Sequence, residues 1–250
     1  MRILTLLALL LGLFLAASAG AQGLPAPPPV PAPDPENMLL LDLSSGGRVE
    51  IQLRPDVAPK HVERIKTLAR KGFYDGLLFH RVIEGFMAQG GDPKGDGTGG
   101  SDLPDLAAEF NGLPHVRGAI AAARQGAPED ADAAATKAAE NSANSQFYIM
   151  LAPRLALDGH YTVFGRVVRG MNFVDAIEKG EPPANPTRIL QASIAADNTP
   201  PPAPGQAVAA APPRPAASSH GGPAAGPAVP PPPSIRLPES KPKPPRKKGQ

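Results

Sequence analysis

The chain has 250 residues and a net charge of +2, with no cysteine and no tryptophan, which excludes disulfides, a thiol nucleophile and thiolate metal ligation. Ten of its eleven phenylalanines and tyrosines fall between Phe73 and Phe173, so the core is centred there, within a stretch of about 37–198 long enough for one good core. Seven prolines crowd residues 25–35 and seventeen more residues 200–245, where too little apolar surface is available to offset the entropy of ordering.

Residues 1–21 read as an export signal. Arg2 gives the positive start, Ile3 to Ala17 the apolar run, and Ala17-Ser18-Ala19 or Ala19-Gly20-Ala21 a small-residue cleavage site. The run is shorter than the ~20 residues that span a bilayer, so a cleaved signal is favoured over an anchor. For a Gram-negative producer this implies a periplasmic protein, otherwise a secreted one. Residues 22–36 are a Pro-rich linker, 37–198 one domain, and 199–250 a disordered Pro/Ala-rich tail. The tail carries seven basic residues against Glu239, so the basicity belongs to it and not to the fold.

Within the domain, Met38–Leu43 and Arg48–Leu53 flank Ser44-Ser-Gly-Gly47 as a hairpin. Val62, Ile65, Leu68 and Ala69 repeat at helical spacing behind Pro59, and Arg70, Lys71 and Gly72 are stop signals, so Pro59 to Lys71 is a helix. Short strands are predicted over 77–82, 86–89, 118–123, 146–151 and 161–168. A second helix is expected over 172–179 and a closing strand over 188–196. Many short strands with two helices indicate an antiparallel barrel or sandwich rather than βαβ units.

Several motifs fail. Gly90 to Gly100 is glycine-rich but lacks the Gly-Lys-Ser/Thr ending of a phosphate loop, and it reads as a tight-turning surface loop. Asp92, Asp96 and Asp102 miss calcium-loop spacing. His61, His115, His160 and His220 form no ligand cluster, and no Gly-x-Ser-x-Gly elbow occurs. No metal or cofactor is expected. Arg81 taken alone could be a strand end paired with a surface acid, and Phe86 with Met87 could be plain core.

Their company decides otherwise. FHRVIEGFMAQGGDP, from Phe79 to Pro93, resembles the signature of the cyclophilins, peptidyl-prolyl cis-trans isomerases. So do APKHVERIKTLARKGFYDGLLFHRVI before it and NSANSQFYIM and LDGHYTVFGRVVRGMNFVDAI after it. The resemblance covers about Met38 to Ala196. It implies a mainly β fold, a closed eight-stranded antiparallel β-barrel capped by two α-helices. It places the catalytic arginine on Arg81 and its supporting glutamine on Gln89. The proline pocket falls on Phe86, Met87, Tyr148 (phenylalanine is more usual), Leu157 and Tyr161 (often histidine). Ala123 and Arg124 fall on the strand whose backbone pairs with substrate, Arg124 standing where asparagine is usual. Ala156 stands where drug-binding members carry tryptophan, so weak or no cyclosporin binding is expected.

The implied partners are proline-containing polypeptides, handled by a monomer that needs no cofactor. No nucleic acid is expected. The tail reads as spacer, with contact to anionic envelope polymers or lipid head groups as the sharper alternative. Residues 125–144 exceed the usual length here and read as a solvated Ala-rich helical turn or as a lip on the groove. The other reading of the whole is a non-catalytic module that holds Pro-containing segments. Arg81 favours the enzyme, because a binder could dispense with it.

Overall fold

The computed structural model describes residue 29 and residues 31–202. The segment read as an export signal, most of the stretch read as a linker and the expected tail beyond residue 202 lie outside the described residues.

Eight strands form one antiparallel sheet: β1 (Met38–Leu43), β2 (Gly47–Leu53), β3 (Leu78–Ile83), β4 (Met87–Asp92), β5 (Ala119–Ala122), β6 (Phe147–Met150), β7 (Val163–Arg169) and β8 (Ile189–Ile194). Their spatial order is β3-β4-β6-β5-β7-β2-β1-β8. Among the described residues three α-helices accompany them, α1 (Pro59–Arg70), α2 (Ala133–Glu140) and α3 (Met171–Asp175).

The closed barrel expected from the sequence is not what forms. The sheet curls into a half-barrel whose edge strands, β3 and β8, meet at one isolated bridge, Leu78 with Arg188. The chain facing β3 ahead of β8 carries Pro182, Pro183 and Pro186, and proline has no N–H to give a ladder. Contact along the seam is therefore local: Phe79 N–H to Thr187 O, Ile189 N–H to Leu77 O, and a two-bond pairing of Val82 with Gly180.

Strand alternation sorts side chains into two clusters. Phe147 and Ile149 of β6 point into the main core while Tyr148 and Met150 point the other way. In β5, Ile120 and Ala122 go inward, and Ala119 and Ala121 join Tyr148. The main core also takes Leu41, Val49, Ile51, Phe79 and Phe164, with Val62, Ile65 and Leu68 of α1. The second cluster, on the opposite face, contains Phe86, Met87, Tyr148, Leu157 and Tyr161.

Helix α1 follows its predicted span closely, starting at Pro59 and burying Val62, Ile65, Leu68 and Ala69. Its N-cap, Ala58, offers no side-chain oxygen. Glu109 supplies the missing acceptors from a distant loop, taking the N–H groups of Lys60 (3.1 Å) and His61 (3.0 Å). The second predicted helix is shorter than 172–179, because the Glu178 N–H turns to Thr187 Oγ1 at 3.1 Å instead of continuing the helical ladder. The 125–144 segment holds α2, N-capped by Asp132 and burying only Ala139.

The described end of the linker lies against the domain. Gln52 and Arg54 donate to the carbonyls of Pro31 and Pro29, at 2.9 and 3.1 Å. Arg70 grips Glu36 (2.8 Å) just before the first strand and Asp197 (2.9 Å) just after the last one. Arg70 and Lys66 hold the Glu36 carboxyl down at about 2. Among the described residues no helix is long and apolar enough to cross a membrane.

Candidate active site

Register builds the site. Arg81 of β3 pairs across to Gln89 of β4, Gln89 to Tyr148 of β6, and Tyr148 to Ala121 of β5. Directly opposed residues lie about 4.5–5.5 Å apart at Cβ, so four strands set one row of side chains across the sheet. A second row, Ile83–Met87–Met150, runs beside it. An arginine, an amide and an aromatic thus stand in line next to an apolar strip.

The aromatics of the strip are fixed against one another. Tyr148 meets Tyr161 edge-on at 5.9 Å between ring centres. The Arg124 guanidinium lies over the Tyr161 ring at 4.5 Å, and that of Arg154 over Phe86 at 5.4 Å. Burial raises the Tyr161 hydroxyl pKa, and the charges of Arg124 and Arg81 pull it back, which puts both cations within electrostatic reach of the strip. Leu157 sits in the short 3-10 turn Leu155–Leu157 with Ala156 exposed beside it.

Behind the strip is a polar brace. His115 is wholly buried, its Nδ1–H donates to Asp158 Oδ1 (2.8 Å), and the same oxygen takes the His115 backbone N–H (2.8 Å). With that tautomer Nε2 is an acceptor, and the Tyr148 hydroxyl donates to it at 3.1 Å. Burial holds His115 below the ordinary histidine range, against the pull of Asp158, and pushes the Tyr148 hydroxyl well above its usual value. Both stay neutral.

The glycine-rich run forms the shaped loop its composition suggests. Asp92 accepts the N–H groups of Lys94 (2.8 Å), Asp96 (3.1 Å) and Gly97 (2.6 Å). A Cβ on Gly99 would lie 2.1 Å from Asp92 Oδ1, so glycine is required there. The folded loop offers Gly97 O and Gly99 O to the Gln146 amide at 3.0 and 2.8 Å. Gln146 in turn accepts from Gln89 Nε2 at 2.9 Å. Gln89, the glutamine the resemblance assigns to the support of Arg81, faces it across the β3–β4 pair. Its N–H serves Gln146, and its Oε1 is buried without a hydrogen-bond partner among the described residues. The carboxylate on Arg81 is Glu181, whose Oε2 accepts from Nε at 2.6 Å.

Ala123 and Arg124 lie just beyond β5, which ends at Ala122. The Ala123 N–H is taken by Gln146 O at 3.0 Å, and the Arg124 side chain folds back to His160 O and Gln125 O. A cleft of about 230 Å³ opens beside them, flanked by Gly97, Gln125, Ser142 and Gln146.

Every site residue named from the sequence is therefore near this row, strip or cleft, and four further residues are bound into it. Gln146 was within reach, two positions before Tyr148 on the same strand face. His115, Asp158 and Glu181 carry no local signal, because their partners lie 33–100 residues away. Among the described residues no group of three or more His, Asp or Glu side chains is placed to hold a metal ion.

A fixed cation in line with an amide and flanked by an aromatic strip, on a curled antiparallel sheet, defines a protein that grips a segment of another polypeptide. The family model of cyclophilin type peptidyl-prolyl cis-trans isomerases matches residues 38–194. A probable peptidyl-prolyl cis-trans isomerase of Brucella suis biovar 1 (strain 1330) is 48% identical over 178 residues, spanning 65% of this chain and 84% of the relative. The crystal structure of cyclophilin AquaCyp293 from Hirschia baltica superposes with a TM-score of 0.58 at 28% identity, covering 67% of this chain and 77% of that one. A Cryptosporidium parvum cyclophilin, solved in the presence of the dipeptide ala-pro, shares the fold with a TM-score of 0.53 at 24% identity, over 63% of this chain and 98% of its own. The chain belongs to the cyclophilin family, and it is a peptidyl-prolyl cis-trans isomerase.

Proposed function

We propose that this isomerase accelerates X-Pro rotation in exported polypeptides, with Arg81 as the catalytic donor. The observation that carries the assignment is the row Arg81–Gln89–Tyr148, set beside Phe86 and Met87 on the face opposite the core.

Amide resonance imposes a barrier of ~18–20 kcal/mol, so unassisted X-Pro bonds flip over tens to hundreds of seconds. At mid-rotation the prolyl nitrogen loses conjugation and becomes pyramidal, exposing a lone pair. A guanidinium stays charged at any working pH, and its planar fork is easily fixed, so Arg81 suits donation to that lone pair. Phe86, Met87, Tyr148, Leu157 and Tyr161 hold the proline ring while the preceding residue turns. The backbone at Ala123 and Arg124 aligns the chain, and Gln89 with Gln146 braces the floor. A rate gain of ~10⁵ requires ~7 kcal/mol of preferential transition-state binding, at ~1.36 kcal/mol per tenfold, and preorganised donors in a partly dry groove supply such amounts. Nothing in the reaction forms or breaks a covalent bond.

Turnover of an X-Pro peptide by the wild type beside Arg81→Ala tests the assignment. A loss of at least 100-fold is expected, in line with the removal of one preorganised donor. Equal, accelerated rates would remove Arg81 from the mechanism, and no acceleration by either protein would leave only the reading in which the groove holds Pro-containing segments without turning them over.

The export reading is supported by the charged, apolar and small-residue order of residues 1–21. Recovery of a mature protein from the cell envelope beginning at Gly20 or Gln22 is the expected result. Ala156, standing where drug-binding members of the family carry tryptophan, supports weak cyclosporin affinity; a nanomolar dissociation constant would refute it. The 125–144 segment borders the cleft through Gln125 and Ser142, joined by a 2.8 Å hydrogen bond, which supports its reading as a lip.

A further inference from the structure

We propose that Glu181 is a positioning residue for the isomerase reaction, setting the plane of the Arg81 guanidinium from across the seam of the sheet. The proposal rests on the assignment of Arg81 above.

The seam loop is built to deliver this carboxylate. Gly180 and Val82 exchange two backbone hydrogen bonds, Val82 N–H to Gly180 O at 2.8 Å and Gly180 N–H to Val82 O at 2.9 Å. Val82 is the strand neighbour of Arg81, so the pairing fixes residue 181 next to residue 81. Gly180 has φ +146°, and a Cβ there would stand 2.6 Å from Pro183 Cα, so the turn depends on glycine. The geometry is therefore set by backbone and not by a chance encounter of two long side chains.

The contact itself is selective. Nε is the guanidinium donor nearest the stem, and its bond to Glu181 Oε2 restrains rotation about the last torsion, which orients the whole fork. The Arg81 side chain is only 11% exposed while that of Glu181 is 49% exposed. An ion pair with a half-exposed carboxylate adds little to folding, so orientation is what it supplies.

The experiment compares kcat and KM of the full chain on an X-Pro tetrapeptide for wild type, Glu181→Ala, Glu181→Gln, Arg81→Ala and the double variant Arg81→Ala/Glu181→Ala. Glu181→Ala should lower kcat roughly 10- to 100-fold, as misplacement of a reacting group does, with KM little changed. Glu181→Gln should recover part of the loss, since it keeps a neutral acceptor at the same reach. In the Arg81→Ala background, removing Glu181 should change nothing. A Glu181→Ala variant as fast as wild type overturns the proposal. A faster one overturns it too, and shows that the carboxylate masks the arginine. So does a loss that persists when Arg81 is already gone, because that loss is structural. Wild-type rates for Arg81→Ala would remove the arginine assignment itself, an outcome distinct from the others.

Discussion

A tyrosine hydroxyl against an apolar pocket is costly unless something accepts its proton, and here His115 does. Tyr148→Phe keeps the ring proposed for the proline pocket but leaves His115 Nε2 buried without a partner. An orphaned buried polar group costs about 1–3 kcal/mol, or roughly 2–4 °C of Tm per kcal/mol for a domain of this size. The variant should therefore melt lower while turnover stays close to wild type. A Tm at or above wild type would show that the hydroxyl is not held by the histidine. Tyr148 itself was legible from its sequence block; the reason a tyrosine is tolerated was not. His115 looks like a lone histidine until the fold brings Asp158 and Tyr148 to its two nitrogens.

Elements with a strong internal period were the legible ones. Arg48–Leu53 alternates and α1 repeats every three to four residues, and both form almost where the pattern places them. What the pattern could not carry is whatever depends on a distant partner. The end of α3 is set by Thr187, the failure of the sheet to close by three prolines opposite β3, and the start of α1 by Glu109. That last dependence is measurable. Glu109→Ala leaves two N–H groups at the helix start and the buried His61 Nδ1 without an acceptor and should lower unfolding stability by at least about 1 kcal/mol, a typical loss for a cap alone. Urea denaturation would register this as a lower midpoint at unchanged slope. An unchanged midpoint would mean that solvent caps the helix equally well.

The molecule as a whole should weaken in mild acid. Burial holds His61, His80 and His115 below the ordinary histidine value of 6.5. The opposing pull comes from Glu109 for His61, from Asp92 and Asp96 for His80, and from Asp158 for His115, while Arg64 and Arg81 add to the depression of the first two. In the unfolded chain these rings take up protons at a pH where the folded ones do not. The unfolded state then binds more protons, so the stabilisation is complete above about 6.5 and is lost as pH falls below it. Thermal melts from pH 8 to pH 5 should show Tm flat at first and then falling; a constant Tm across that range would contradict the burial of the three rings.

Arg70 has a consequence of another kind. Because one guanidinium holds both Glu36 and Asp197, the polypeptide enters and leaves the fold at a single spot. Joining those two points with a short connector and opening the chain within the exposed stretch 127–130 would give a circular permutant whose strands keep all their neighbours. The order in which the ribosome delivers the strands is then separable from the order in which they pair, and the groove of that permutant should still turn over its peptide.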